Sequence, residues 1–179
     1  MSGERLRLYR LSRGYSMDEL VEKTGGAVSK QALSKYENER MKPSPSKLVL
    51  LARALGVKAA RLLAEPRVQV ELIAYRKKSR LKEKEKNRIK GLMQLRMEIA
   101  AKIRVFLDAE DGEGLGFTPT VISSAEEAEE TAVDLRNAWG LGTGPIPNLL
   151  DTLEDHHVNV LFVDGDGQMQ FDGLSAWVR

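Results

Sequence analysis

Residues 16–56 read SMDELVEKTGGAVSKQALSKYENERMKPSPSKLVLLARALG, and this stretch decides the predicted fold of the front of the chain. Apolar residues at helical spacing on each side of the glycine pair at 25–26 predict two short amphipathic helices joined by a turn. Ser16 and Glu19 have the spacing of a capping box, which marks the start of the first helix. Ser29 is placed to cap the second helix. The sequence therefore predicts two helices separated by a glycine turn.

Three further helices are predicted around this pair, which gives a five-helix domain over residues 1–65. One covers residues 4–12 and is ended by Gly14. Another begins in the proline-serine stretch at 43–46 and stops at Gly56. A fifth covers residues 57–63. The residues expected in the core are Leu6, Tyr9, Leu11, Leu20, Val21, Ala32, Leu33, Tyr36, Leu48, Leu51, Ala52 and Leu55.

The second helix of the pair carries a polar face made of Lys30, Gln31, Ser34 and Lys35. Side chains of these types hydrogen-bond to base edges and to phosphates, as a recognition helix in the major groove requires. The pattern therefore indicates a helix-turn-helix DNA reader. The alternative is a generic small helical domain, because similar helices also serve protein contacts.

Residues 66–112 form a predicted connecting region that begins after the boundary at Pro66. Residues 68–75 partly alternate between apolar and polar and predict a strand or an extended arm. A basic run follows, read either as a solvated helix start or as a phosphate contact, and leads into a long linking helix that ends near Asp108. This helix has an apolar stripe at Ile89, Leu92, Leu95, Ile99, Ile103 and Phe106. Such a stripe packs either against the same chain or against a partner helix.

Residues 113–179 predict a small, incomplete α+β region. A helix capped at Ser124 runs to Trp139, and a second helix follows Pro147 and ends near His156. Short strands are predicted over residues 158–163, 168–171 and 174–178, with a hairpin turn at 164–167. The whole chain is therefore predicted to be mainly α.

Charge is distributed unevenly along the 179 residues. Residues 1–65 carry 13 Lys and Arg against 7 Asp and Glu, residues 66–104 carry 13 against 4, and residues 105–179 carry 2 against 15. A nucleic acid is thus expected at the basic front only. The chain has no cysteine, its start lacks the apolar core of a signal peptide, and no apolar run is long enough to span a bilayer. We expect a cytoplasmic protein with no membrane partner.

Two family resemblances are carried by particular residues. The segment VSKQALSKYEN, residues 28–38, with RALGV, residues 53–57, resembles Xre-type (Cro/CI-like) helix-turn-helix regulators. The segments WGLGTGPIPNL, residues 139–149, and FDGLSAW, residues 171–177, resemble the N-terminal part of an ImmA/IrrE-type metallopeptidase domain. The first resemblance implies a lambda-repressor-like domain, and the two together imply a fusion that covers almost the whole chain.

The resemblance to the regulators implies roles for individual residues. Base readers would be Lys30, Gln31, Ser34 and Lys35, and phosphate contacts would be Ser16, Asn38, Arg40 and Lys42. Arg10 and Glu37 match a pair that is structural in the family. Two features depart from the family pattern: Met17 stands where a glutamine is frequent, and the turn over residues 25–28 is longer than usual.

The peptidase resemblance lacks the catalytic signature of its family. That signature is HExxH on a helix, where two histidines bind zinc and the glutamate activates water. The sequence contains no such motif and ends before the family's metal helix, and the neighbours His156 and His157 cannot replace it. The resemblance therefore implies no catalytic residues, no metal site and no cofactor in this chain.

The sequence predicts a DNA-binding transcriptional regulator, with repression as the expected mode, that acts as a homodimer on double-stranded DNA with two-fold symmetry. Two alternatives belong to other classes. In the first alternative, the chain is the front piece of a regulatory zinc metallopeptidase. In the second, it is an antitoxin-like module that binds a partner protein through its acidic C-terminal region.

Overall fold

The computed structural model describes residues 3–65, 70–76, 82–107, 120–162 and 173–178. They fall into two compact units: residues up to 107 together with 173–178 form the first unit, and residues 120–162 form the second. Apart from a two-stranded sheet and the connecting loops, the described residues are helical, which confirms the predicted mainly α class.

The first unit begins with the five predicted helices. They are α1 (Gly3–Ser12), α2 (Met17–Lys23), α3 (Lys30–Glu37), α4 (Pro45–Ala54) and α5 (Ala59–Leu63). Serine side chains start α3 and α4, because Ser29 and Ser44 accept hydrogen bonds from the backbone N–H groups of Ala32 and Lys47. Pro45 occupies the first position of α4, where its missing N–H leaves no hydrogen bond unmade.

The five helices enclose a leucine core. Its fully buried members are Leu6, Leu20, Leu33, Leu51, Leu55 and Leu62. Val28 from the turn between α2 and α3 joins them with 2% of its surface exposed. Leu11, which was expected in this core, is only half-buried. It lies five residues after Leu6, and that separation turns it about 140° around α1, away from the core face.

The long helix α6 (Glu83–Phe106) packs antiparallel to α1. Gly91 allows the close approach, because a Cβ atom there would lie 3.1 Å from the backbone nitrogen of Ser12. Further along, Glu98 meets Arg5. The buried residues of α6 are Ile89, Gly91, Gln94, Met97 and Glu98.

The predicted apolar stripe of α6 is buried only at its beginning. Ile89 is fully buried, whereas Ile99, Ile103 and Phe106 are exposed. Ile99 follows Glu98, which contacts Arg5 of α1, and the 100° step between them turns Ile99 away from α1. Ile103 and Phe106 are exposed because α1 has 10 residues and α6 has 24, so α6 runs past the start of α1 after about residue 100. Periodicity locates the apolar face of a helix but not the length over which that face is covered.

The sheet of the first unit joins distant parts of the sequence. Strand β1 (Val70–Arg76) pairs antiparallel with β2 (Gly173–Val178), and the register shifts between Leu72 and Ala74. Over its described residues, the segment 68–75 is thus a strand rather than a free arm. The strand predicted at 174–178 is confirmed as well.

The second unit contains α7 (Ala125–Ala138) and α8 (Leu149–Asp155). Ser124 caps α7 as predicted, and neither helix has a buried residue. The strand predicted from residue 158 is wrong over residues 158–162, which are irregular. Among its described residues this unit holds only helices and loops, so no neighbouring strand bonds to that backbone. The turn predicted at 164–167 and the strand at 168–171 lie outside the described residues.

Across the described ranges, the structure contains no helix that is both long and apolar enough to cross a membrane.

Candidate nucleic-acid interface

The turn between α2 and α3 depends on its two glycines. Gly25 and Gly26 have φ angles of 65° and 74°, a left-handed conformation that side chains disfavour. Their N–H groups donate to the carbonyl groups of Glu22 and Val21, which closes α2. The extra turn length is therefore taken up by a helix end followed by Val28, whose side chain enters the core.

The exposed face of α3 carries the predicted base readers. Leu33 and Tyr36 anchor the helix in the core, while Gln31 and Lys35 are exposed and Ser34 is half-buried. Residues three and four apart are neighbours on a helix surface, so the last three side chains form one continuous polar face. The structure brings them together as a recognition helix requires.

Lys30 is held at the edge of this face by an ion pair with α2. Its Nζ lies 2.8 Å from Oδ2 of Asp18, and both side chains are more than half exposed. Exposed pairs of this kind contribute about 0–1 kcal/mol, so a base edge or phosphate can displace Asp18. Met17, at the position where the family pattern often has glutamine, packs half-buried against the core.

The predicted phosphate contact at Ser16 lies in the capping box of α2. Its Oγ accepts the Glu19 N–H at 3.1 Å, and its own N–H donates to Oε2 of Glu19 at 2.5 Å. The backbone N–H and the hydroxyl of Ser16, followed by Lys84, lower the pKa of Glu19 to about 2. Ser16 thus already has a structural role, and a full negative charge lies beside it.

The other predicted phosphate contacts follow α3. The Asn38 side-chain amide donates to the Ser34 carbonyl at 2.8 Å and ends the helix. Arg40 and Lys42 are exposed on the loop beyond it. Glu39 has a left-handed φ of 59°, and its carboxylate accepts the Gly3 N–H at 2.8 Å. This bond fixes the loop against α1, so both basic side chains project from a positioned backbone.

A family model described as helix-turn-helix matches residues 6–62. Residues 6–62 are a helix-turn-helix domain of the Xre (Cro/CI) type. The match implies DNA binding by these residues. The chain has no significant match among curated proteins or among solved structures. The family match ends at Leu62, so the peptidase resemblance of residues 139–149 and 171–177 stays a prediction.

A buried ion pair fixes the recognition helix within the helix-turn-helix domain. Arg10 donates from Nε and Nη2 to the two carboxylate oxygens of Glu37 at 2.6 and 2.7 Å, and from Nη1 to the Tyr15 carbonyl at 2.9 Å. Both charged side chains are buried. The structural role expected for this pair is confirmed, because it joins α1 to the last turn of α3.

A second buried ion pair joins the helix-turn-helix domain to α6 and was not predicted. Arg5 Nη1 lies 2.5 Å from Oε1 of Glu98, with 1% and 4% of the side chains exposed. Burial lowers the pKa of Arg5, but the hydrogen bond and charge of Glu98 outweigh it and raise that pKa above its usual value. The sequence did contain a signal: Glu98 is the sole acidic residue between 86 and 107.

Proposed function

We propose that this protein is a sequence-specific transcriptional regulator that binds as a dimer to a two-fold operator and acts in the cytoplasm. The observation that carries the proposal is the exposed polar face of α3 on a helix-turn-helix domain. A helix with this face inserted in the major groove meets base edges first with its N-terminal residues.

The base readers have chemically distinct targets in this proposal. The Gln31 amide suits the N6 and N7 atoms of adenine, while Lys30 and Lys35 suit O6 and N7 of guanine. Ser34 hydrogen-bonds either base. Each good contact is worth about 1–3 kcal/mol of discrimination, which corresponds to roughly 5- to 150-fold in affinity.

Selection of bound duplexes from a random pool tests the proposal and yields the operator, its symmetry and its spacing. Titrations then compare that duplex with a scrambled one. Gln31→Ala should lose about 5- to 150-fold of the preference while binding to the scrambled duplex stays unchanged. Lys58→Ala, at an exposed position before α5, is the matched control and should change neither. A Lys30→Ala, Gln31→Ala double variant with full preference would refute the assigned readers.

The exposed end of α6 supports dimer formation. Ile99, Ile103 and Phe106 lie at helical spacing with 44%, 52% and 87% of their surfaces exposed. Pairing two copies through this apolar face would remove it from water. Operator half-sites should then lie about one DNA turn, roughly 34–36 Å, apart. Sedimentation equilibrium should show a dimer that Ile103→Asp converts to a monomer and that Lys102→Gln leaves intact.

The proposal assigns no catalytic activity to this chain. Of the two histidines, His156 stacks on Trp139 with ring centroids 4.2 Å apart. Within the described residues, no three His, Cys, Asp or Glu side chains are grouped as metal ligands. An HExxH motif in the gene downstream of residue 179 would favour the alternative that the chain is the front piece of a zinc metallopeptidase. One tightly held zinc ion in the purified protein itself would overturn the proposal.

A protein partner for the C-terminal region is a separate possibility favoured by α7. This helix exposes Glu126, Glu127, Glu129 and Glu130. An acidic face of this kind suits a basic partner, as in an antitoxin-like module. Isothermal titration against a cationic protein should show binding, and the substitutions Glu126→Gln and Glu130→Gln should weaken it. If the cationic protein releases no more heat than a neutral protein does, the acidic face has no such role.

A further inference from the structure

The start of α6 lies beside the start of α2. Lys84 Nζ contacts the Glu19 carboxylate at 3.1 and 3.2 Å. Four residues on, the Arg88 side chain covers Gly14, since a Cβ atom at Gly14 would lie 3.2 Å from it. Two turns of α6 therefore border the turn that leads into α2, although the family match ends well before this helix.

The start of α2 is also next to the recognition helix. Asp18 binds Lys30, the first residue of α3, and Glu19 binds Lys84. Asp18 and Glu19 are consecutive, with Cα atoms about 3.8 Å apart. The first turn of α6 is thus linked to the reading end of α3 through two neighbouring residues, which places its lysines beside the DNA-facing edge of the domain.

This first turn of α6 carries a net positive charge, and each of its two acidic residues already has a partner within the turn. Glu85 accepts the Lys82 N–H at 2.9 Å, and Glu83 pairs with Lys86 at 3.3 Å. Lys82 and Lys84 are exposed, the latter with 59% of its side chain. Four more basic residues stand just before them in the sequence, at positions 76, 77, 78 and 80.

We infer that Lys82 and Lys84 form a phosphate-binding site that extends the DNA contact beyond the helix-turn-helix domain. The ligand is the phosphodiester backbone, read without regard to base sequence. Lys84 contacts Glu19 in the first turn of α2, so a DNA strand that runs past the start of α2 also comes near this turn, with a phosphate about every 3.4 Å of helix axis. The exposed pair of Lys84 with Glu19 contributes little and gives way to phosphate. This inference rests on the proposed DNA binding.

The test is the salt dependence of binding by the full chain, measured on the selected duplex and on a scrambled one. Each lost phosphate contact reduces the slope of log K against log salt by about 0.9. The K82Q/K84Q variant should therefore lower the slope by about 1.8 per protomer. Both duplexes should weaken by the same factor, because the site reads no bases.

The matched control is R96Q/K102Q, which removes the same charge from exposed positions on the same helix. Lys102 lies 18 residues, or about 27 Å, beyond Lys84. The R96Q/K102Q variant should therefore leave the slope of log K against log salt unchanged. Glu19→Gln keeps a capping-box residue but frees Lys84, and it should tighten binding to both duplexes at low salt.

The outcomes separate this site from the proposed function. An unchanged slope in K82Q/K84Q, with the unsubstituted protein still preferring its selected duplex, overturns the site and leaves the regulator standing. Equal slope losses in both double variants indicate general charge and also overturn the site. An unsubstituted protein that binds neither duplex overturns both proposals together.

Discussion

Replacing Glu98 by leucine should destabilise the helix-turn-helix domain, although Glu98 lies outside it. Arg5 has 1% of its side chain exposed, and without Glu98 it would have no carboxylate partner among the described residues, although it keeps the Arg61 carbonyl at 3.2 Å and its contacts with Tyr9. A buried charge left without its partner costs about 3–5 kcal/mol. Folded domains are stable by about 5–15 kcal/mol, so this loss is a large part of the total.

Removing both charges should reverse the loss. An Arg5→Met, Glu98→Leu variant replaces the pair by apolar side chains, and such replacements of buried pairs are neutral or stabilising by about 1–4 kcal/mol. Arg7→Met is the control, because Arg7 is exposed on the same helix and surface changes stay within about 0.5 kcal/mol. The double variant therefore separates the loss of a charge partner from general damage to α6.

Amide hydrogen exchange on the full chain measures these differences unit by unit. Peptides from α1 and α3 should lose about two to three and a half powers of ten in protection in Glu98→Leu. Peptides from α7 should stay unchanged, because that helix belongs to the second unit. This prediction would be refuted if Glu98→Leu lowered the free energy of unfolding by less than about 1 kcal/mol, or if the double variant were less stable than Glu98→Leu.

Three further predictions concern local contacts. Gly91→Leu should cost about 1–3 kcal/mol in urea unfolding, because the new side chain meets the Ser12 backbone, whereas Gly144→Ala has open space and should be silent. Ser16→Ala removes the N-cap of α2 and should cost about 0.5–2 kcal/mol in the same assay. Glu19 has a pKa lowered to about 2, so its contribution is complete above its unfolded pKa of about 4.3 and is lost as pH falls towards 2. Between these two pKa values, the melting temperature of Glu19→Gln should therefore depend on pH less steeply than that of the unsubstituted protein. Identical pH profiles of the two proteins would contradict this prediction.

The helix-turn-helix domain could be predicted because its signals are local. Ser16 with Glu19, Ser29, and the glycines at 25–26 each fix a helix end through bonds within a few residues. The polar face of α3 follows from its apolar anchors Leu33 and Tyr36. Sequence patterns register such short-range causes directly.

The remainder depended on long-range contacts that periodicity does not encode. The stripe of α6 predicted burial at Ile99 and Ile103, yet Ile99 is turned away from α1 and Ile103 lies past the start of α1, so both are exposed. Strand β1 finds its partner about a hundred residues away, and nothing in either segment specifies the other. Among the site residues, the pairing of Lys30 with Asp18 depended on the angle between two helices. Side-chain type alone could not supply it.

The two buried ion pairs determine how α6 and the recognition helix move together. Arg5 joins α1 to α6, and Arg10, five residues or about 7.5 Å further along α1, joins it to α3. Breaking either pair would leave a buried charge without its partner. We therefore expect the three helices α1, α3 and α6 to behave as one rigid body rather than as a domain on a flexible tether. If two copies pair through α6 as proposed, the angle at which their α6 helices cross then sets the distance between the two recognition helices. Operator spacing would therefore be fixed by helix packing outside the family domain.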